Sequence, residues 1–204
     1  GSKGVKNKNL RNINGSPLIE YTLNAAIKSK YIDDILVSTD SEEIQAIAKQ
    51  KNLICKHLRP NNLSNDTALT IDVIKYELLK LGKNLKKYTH LMLLQPTCPL
   101  REATDIDLSI EKLVNQNGKS LISVVSVKSM HPLRMKKIQN NRLFNYIDIG
   151  FEDMRPRQSL PDVFIRNGAI YLALISDILE KSTLSSQPCI PFIMEEEKSI
   201  NIDN

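Results

Sequence analysis

A chain of 204 residues, 41% hydrophobic and 25% charged, has the composition of an ordinary globular domain and the length for one substantial core. Its net charge of +5 comes from basic residues scattered over several segments, with no aromatic-interleaved stripe, so nucleic acid is not an expected partner. No apolar run reaches the roughly 18 residues of a membrane span, no secretory leader is read at the N-terminus, and three distant cysteines without a C-x-x-C fit a reducing cytoplasm.

The chain opens on Gly1-Ser2-Lys3-Gly4-Val5-Lys6-Asn7-Lys8-Asn9-Leu10. Glycines let backbone N–H groups close on an anion, and lysines neutralise phosphate oxygens. The tract also fits a flexible basic terminus, because it is not the G-x-x-x-x-G-K-[ST] loop. Ser16-Pro17 reads as an N-cap and first helical position, and Leu18, Tyr21, Thr22 and Ala25 share a face, predicting a helix from Pro17 to about Lys30. Ile35 to Thr39 is a β-branched strand. Asp40 with Glu43 then suits the start of a helix burying Ile44, Ile47 and Ala48. A further strand is expected over Leu53 to His57, ending at Arg59-Pro60.

Asp66-Thr67 reads as the cap of a helix carrying Ile71, Ile74, Leu78 and Leu81 on one face. Thr89 to Leu94 is a continuous apolar strand, as in a sheet covered on both faces, and it stops at Gln95-Pro96-Thr97-Cys98-Pro99. Thr104 opens a helix through Ile106, Ile110, Leu113 and Val114, and Ser120 to Val127 is another buried strand. These alternations predict an α/β fold, a Rossmann-like and mostly parallel sheet flanked by helices. From Lys128 to Arg166 prolines interrupt the pattern, and only Leu143 to Ile147 reads as a strand, so this segment is an excursion from the sheet. Strand character returns over Asn167 to Ala173, a short helix over Ser176 to Lys181, and late strands over Ile190 to Met194 and Ser199 to Ile202.

Ligands of open parallel sheets bind beyond the carboxyl ends of the strands, which directs attention to the residues there. Gln95 to Arg101 offers an amide, a hydroxyl and a guanidinium on a turn fixed by two prolines; the same residues also suit a purely structural turn. Arg155-Pro156-Arg157-Gln158 and Arg166-Asn167-Gly168 suit an anionic ligand, or solvated surface arginines. Asp40 reads best as a helix cap. His57, His90 and His131 lack metal-ligand spacing.

The ordered set Gly1-Ser2-Lys3-Gly4 with Lys8-Asn9, Val37-Ser38-Thr39-Asp40, Arg59-Pro60 with Asp66-Thr67, Leu94 to Arg101, Arg157-Gln158-Ser159-Leu160-Pro161, Asn167 to Tyr171 and Ser199 to Asp203 resembles the acylneuraminate cytidylyltransferases. These CMP-sialic acid synthetases have relatives that activate legionaminic or pseudaminic acid. The resemblance covers nearly the whole chain. It implies a nucleotidyltransferase of GT-A-like fold joining CTP to a nine-carbon acidic sugar, with Mg²⁺, giving CMP-sugar and pyrophosphate. By resemblance Ser2, Lys3 and Lys8 attend the triphosphate, and Asn9, Arg59 and Thr70 surround the cytidine and its phosphates. Gln95, Arg157, Asn167 and Tyr171 lie on the sugar side. Lys8 stabilises developing charge and Asp203 holds Mg²⁺. Residues 128–166 are the implied homodimerisation element.

Residues 1–204 are thus expected to be one cytidylyltransferase domain, with a family strand and an arginine before Gly1 and a helix after Asn204. The family's D-I-D metal motif reads Asn201-Ile202-Asp203 here, and an amide is a weaker Mg²⁺ ligand than a carboxylate. Alternatives are a cytidylyltransferase for the eight-carbon acid Kdo, which Asn167 to Tyr171 disfavours, and a nucleotide-binding relative with impaired catalysis.

Overall fold

The computed structural model describes Val5 and residues 7–202, apart from the Arg157 side chain. The N-terminal half contains β1 (Asn12–Ile13), β2 (Ser16–Pro17), α1 (Leu18–Ile27), α2 (Glu42–Gln50), α3 (Thr70–Lys80) and β3 (His90–Leu93). The C-terminal half contains α4 (Ala103–Asn115), β4 (Ser120–Ser126), β5 (Lys136–Gln139), β6 (Arg142–Asn145), β7 (Phe164–Leu174), α5 (Ile175–Lys181) and β8 (Cys189–Ile193).

The apolar runs pair into a sheet of order β3-β7-β4-β8. β4 is parallel to β8, and β7 runs against both β3 and β4, so three of the four strands share one direction. The predicted strands around residues 35–39 and 53–57 reduce to one parallel bridge, Leu36 with Ile54. Val37 N–H donates to Ile54 O (2.8 Å) and Ile54 N–H to Ile35 O (3.0 Å).

Helices cover both faces of the sheet. Ile106 and Leu113 of α4 and Ala25 of α1 pack on Leu121, Ile170, Leu172 and Ile190. Ile74 and Leu78 of α3, with Ile175 and Ile178 of α5, pack with Ala173 on the other side. A third cluster joins Ile19 and Leu23 of α1 to Val37, Ile44, Ala48 and Cys55. The 3.6-residue spacing of these apolar positions selects those faces.

Element starts depart from the sequence reading. Ser16-Pro17 is not a cap and first turn: it pairs with Asn12–Ile13 across Asn14-Gly15, whose φ values of 49° and 87° make the mirror-image turn favoured in two-residue hairpins. Ser41, rather than Asp40, caps α2 by accepting from Ile44 N–H (3.4 Å). α3 starts at Thr70 after Leu69, later than the expected Asp66-Thr67. Glu102 caps α4 in a reciprocal box with Asp105, two residues ahead of the expected Thr104. Residues 199–202 do not form a strand: Glu197–Ser199 is a 3₁₀ turn, and Ile202 N–H donates to Thr97 O (2.8 Å).

Residues 128–163 leave the sheet, an excursion shorter than the expected 128–166 because Phe164, Ile165 and Arg166 already pair with Ser126, Val125 and Val124 of β4, and it carries two strands rather than one. β5 and β6 pair antiparallel across Asn140-Asn141, both at positive φ. His131 anchors the base of this arm. Its ring accepts from Leu133 N–H (3.2 Å) and its Nε2 stands 3.1 Å from Pro161 O. Asp153 forms a second anchor: hydrogen bonds from the Arg155 guanidinium hold its pKa down at about 2.

Candidate active site

The site begins with a break in a strand. β7 pairs Tyr171 with Ile122 and then Arg166 with Val124, so Asn167 to Ile170 bulge away from Ser123 alone. A bulge leaves backbone groups unpaired and re-aims side chains, and this one is filled by its own neighbours. Ser123 Oγ donates to Asn167 Oδ1 (2.6 Å) and accepts from Ile170 N–H (2.7 Å). Asn167 Nδ2 donates to Ser199 Oγ (2.9 Å) and to Met194 Sδ (3.3 Å). Asn167 is 5% exposed, and both ends of its amide are engaged, so it builds the floor of the site rather than presenting a free group.

Two side chains of the turn after β3 satisfy the bulge's carbonyls. Cys98 Sγ donates to Asn167 O (3.3 Å), and Arg101 Nη1 donates to Ala169 O (2.7 Å). Arg101 also reaches Gln95 O (3.3 Å) and Thr22 Oγ1 (2.7 Å). It is 2% exposed, and desolvation lowers its pKa to about 10, which leaves it cationic at neutral pH.

Gly168 sits at φ 81° within the bulge, where a Cβ would stand 2.7 Å from Gln95 Oε1 and 3.4 Å from Asn201 Nδ2. The amides of Gln95 and Asn201 therefore both stand beside Gly168, near the carboxyl end of β3. The bond from Ile202 N–H to Thr97 O ties the C-terminal segment down beside them.

A cavity of about 750 Å³ extends from Gln95 and is lined also by Asn9, Asp40, Arg59 and Thr70. Arg59 is placed by its N–H to Thr39 O (2.7 Å) and its Nε to Ser64 Oγ (3.2 Å), and its Nη2 lies 3.8 Å from Asp40 Oδ1. Asp40, read from the sequence as a cap, is instead a partner of that guanidinium. Lys8 and Asn9 belong to the 3₁₀ turn Lys8–Leu10, entered through Asn7 at φ 54°. Tyr171 lies half-buried on β7 opposite Leu93 and Ile122. Arg157 starts a 3₁₀ turn of the arm. Ser2, Lys3 and Asp203 lie outside the described residues, as does the Arg157 side chain.

The structure thus brings Asn9, Arg59, Thr70 and Gln95 to one cavity and Asn201 to its Gln95 end. Sequence reasoning missed Arg101 and Cys98 as supports of the bulge, and also a polar group on the cavity wall. There Ser38 Oγ donates to Glu77 Oε1 (2.6 Å), and His57 Nε2 lies 3.2 Å from Glu77 Oε2. Because the carboxylate stands between the hydroxyl and the imidazole, this trio has no base relaying a proton from Ser38, unlike a nucleophilic triad. Among the described residues no three His, Cys, Asp or Glu side chains gather as a metal centre, and no helix is long and apolar enough to cross a membrane. Amides, hydroxyls and the Arg59 guanidinium, with Asp40 and Glu77 among them, line the site and suit it to holding a polar ligand with anionic groups.

Residues 1–154 match the family described as cytidylyltransferase. The whole chain is 31% identical to "CMP-N,N'-diacetyllegionaminic acid synthase" of Legionella pneumophila, covering 87% of it, and 31% identical to "Post-translational flagellin modification protein B" of Campylobacter coli, covering 86%. It is 30% identical to the "N-acylneuraminate cytidylyltransferase" of Escherichia coli O18:K1:H7, spanning 47% of that longer protein. Among solved structures, CMP:2-keto-3-deoxy-manno-octonic acid synthetase complexed with CTP superposes with a TM-score of 0.67 at 15% identity, over 95% of this chain and 86% of that one. A 4-diphosphocytidyl-2C-methyl-D-erythritol synthase superposes at 0.62 and 13% identity, over 96% and 86%. At such identities the likeness shows the fold.

Proposed function

Since this chain belongs to the cytidylyltransferase family, we propose that it transfers the cytidylyl group of CTP to a nonulosonic acid of the sialic or legionaminic type, releasing pyrophosphate. The carrying observation is that one cavity is lined by Asn9, Arg59, Thr70 and Gln95, and that the Gln95 and Asn201 amides both stand beside Gly168. In the reaction the anomeric hydroxyl oxygen of the sugar attacks the α-phosphorus in line. The bond to the β-phosphate oxygen breaks, and the hydroxyl proton leaves to solvent.

Such chemistry asks mainly for positioning and charge neutralisation, which amides and cations supply. Asn9, Arg59 and Thr70 take the nucleotide, and Lys8, with Ser2 and Lys3, takes the triphosphate. Gln95, Tyr171 and Arg157 take the sugar acid, and Asn167 supports them from beneath. A Mg²⁺ carried chiefly by the triphosphate would take Asn201 and Asp203 as this chain's contribution. When bound, the ion offsets phosphate charge. The arm is the proposed dimerisation element, because a two-stranded hairpin bearing exposed Ile138 and Leu143 has no core of its own.

The test offers CTP, Mg²⁺ and N-acetylneuraminic, legionaminic, pseudaminic or Kdo acid separately and measures pyrophosphate. Release with a nine-carbon acid is expected. CTP binding by calorimetry without release from any acid would instead support the impaired-relative reading, which the neutral Asn201 favours. Asn201→Asp would then restore turnover.

A further inference from the structure

We propose that Arg101 is a positioning residue for the sugar-acid side of the site, an inference that rests on the cytidylyltransferase reading above. A guanidinium withdrawn from water loses its hydration, and one this deeply buried is ordinarily matched by a carboxylate. Among the described residues no carboxylate is within ion-pair distance of Arg101, the Asp105 charge acts on it only from farther off, and its Nε has no hydrogen-bond partner. An apolar side chain would fill the same space without that desolvation. The contacts Arg101 does make account for its presence.

Its two terminal nitrogens bond groups on three separate elements: Ala169 O in the β7 bulge, Gln95 O in the turn after β3, and Thr22 Oγ1 on α1. Thr22 Oγ1 itself lies 3.4 Å from Gln95 O, so the three form one knot around the Gln95 carbonyl. A planar fork with donors in fixed directions sets a distance and an angle between the elements it bridges, which a flexible ammonium does not. The separation set here is the one that matters at the surface. The Gln95 side-chain oxygen stands 2.7 Å from where a Cβ on Gly168 would be, so the direction of the Gln95 amide depends on how closely turn and bulge approach. Arg101 thereby acts through Gln95 on whatever Gln95 holds. Asn9 and Arg59 sit on elements that Arg101 does not touch.

The experiment compares Arg101→Lys, Gln95→Ala and the double variant with wild type, reading KM for CTP and KM for the accepted acid separately. Arg101→Lys keeps the charge but not the fork. KM for the acid should rise about tenfold or more, as displacements near 1 Å can cost up to about a hundredfold. KM for CTP should stay within about twofold, since uniform loss of folded enzyme lowers the measured rate and leaves both KM values in place. In the Gln95→Ala background the lysine substitution should cost little further, because the residue it acts through is gone.

Both KM values rising together, neither rising, or the two substitutions multiplying independently would each overturn the assignment. If Arg101→Lys does not fold, Thr22→Val carries the test: it removes one strand of the knot, and a selective rise in the acid's KM is again expected. A wild-type enzyme that releases no pyrophosphate with any acid sinks the reading itself and this inference with it. An active wild type with an unselective Arg101→Lys overturns the inference alone.

Discussion

At the scale of single residues, the site depends on places where the backbone adopts what side chains usually forbid. Gly168 holds a left-handed conformation beside the Gln95 and Asn201 amides. Gly168→Ala would add backbone strain of about 1–2 kcal/mol and push a methyl against Gln95. The expected outcome is an unfolding free energy lowered by that amount in denaturant titrations, together with a fall in kcat/KM for the acid that exceeds any change for CTP.

The polar residues of this region were only partly legible in the sequence. Gln95 stood out because it follows an apolar strand, and sheet topology places such residues at a ligand. Asn167 stood out too, yet its role changed, since no spacing rule reveals that Ser123 and Ser199 would engage both ends of its amide. Arg101 escaped notice as a buried group because arginine is ordinarily a surface residue. A fully buried guanidinium is a property of three-dimensional packing, with no local signature.

At the scale of elements, apolar periodicity carried the prediction and capping chemistry misled it. The helices over 42–50 and 103–115 follow from where isoleucine and leucine recur, and both were anticipated within a few residues. Their starts were not, because Asp40, Ser41, Asp66, Thr67 and Glu102 are all plausible caps, and tertiary contacts chose among them. Asp40 was drawn off by Arg59. Two hairpins depart from the sequence reading although Asn14-Gly15 and Asn140-Asn141, residue types that tolerate positive φ, carry a turn signal.

The second hairpin leads to an expectation for the arm. Ile138 is 74% and Leu143 65% exposed, directly opposite one another on β5 and β6. Such a pair on an isolated hairpin gains by being covered with another copy of itself. Sedimentation equilibrium should show a dimer, and the double change Ile138→Glu with Leu143→Glu should give a monomer with the same helical circular dichroism. A wild-type monomer at tens of micromolar, a range typical of such runs, would remove the arm from the interface.

At the scale of the whole molecule, the fold class was readable because strand and helix patterns alternate along the chain. The direction of β7 was not, since an apolar strand reads the same either way. What also lay beyond the sequence is the uneven joining of the parts. β4 is paired on both edges, whereas the segments around Val37 and Ile54 share one bridge and face the rest of the sheet across the cavity. Amides of 35–37, 53–55 and α2 should therefore exchange hydrogen sooner than those of β4 and β7. CTP bound as proposed, between Asn9, Arg59 and Gln95, should slow them. At a hundred times its Kd the nucleotide adds about 2.7 kcal/mol to stability, which thermal unfolding with and without CTP will register. Exchange that is uniform across the chain, or indifferent to CTP, would show the two parts to be one unit.

The proposed placement of CTP across the void would also tie the survival of the protein to its supply. Proteases cut the opened form, and the fraction open falls as ligand occupies the gap. Nucleotide-starved conditions would then clear this enzyme faster than replete ones, so its abundance would follow the CTP pool with no dedicated regulator.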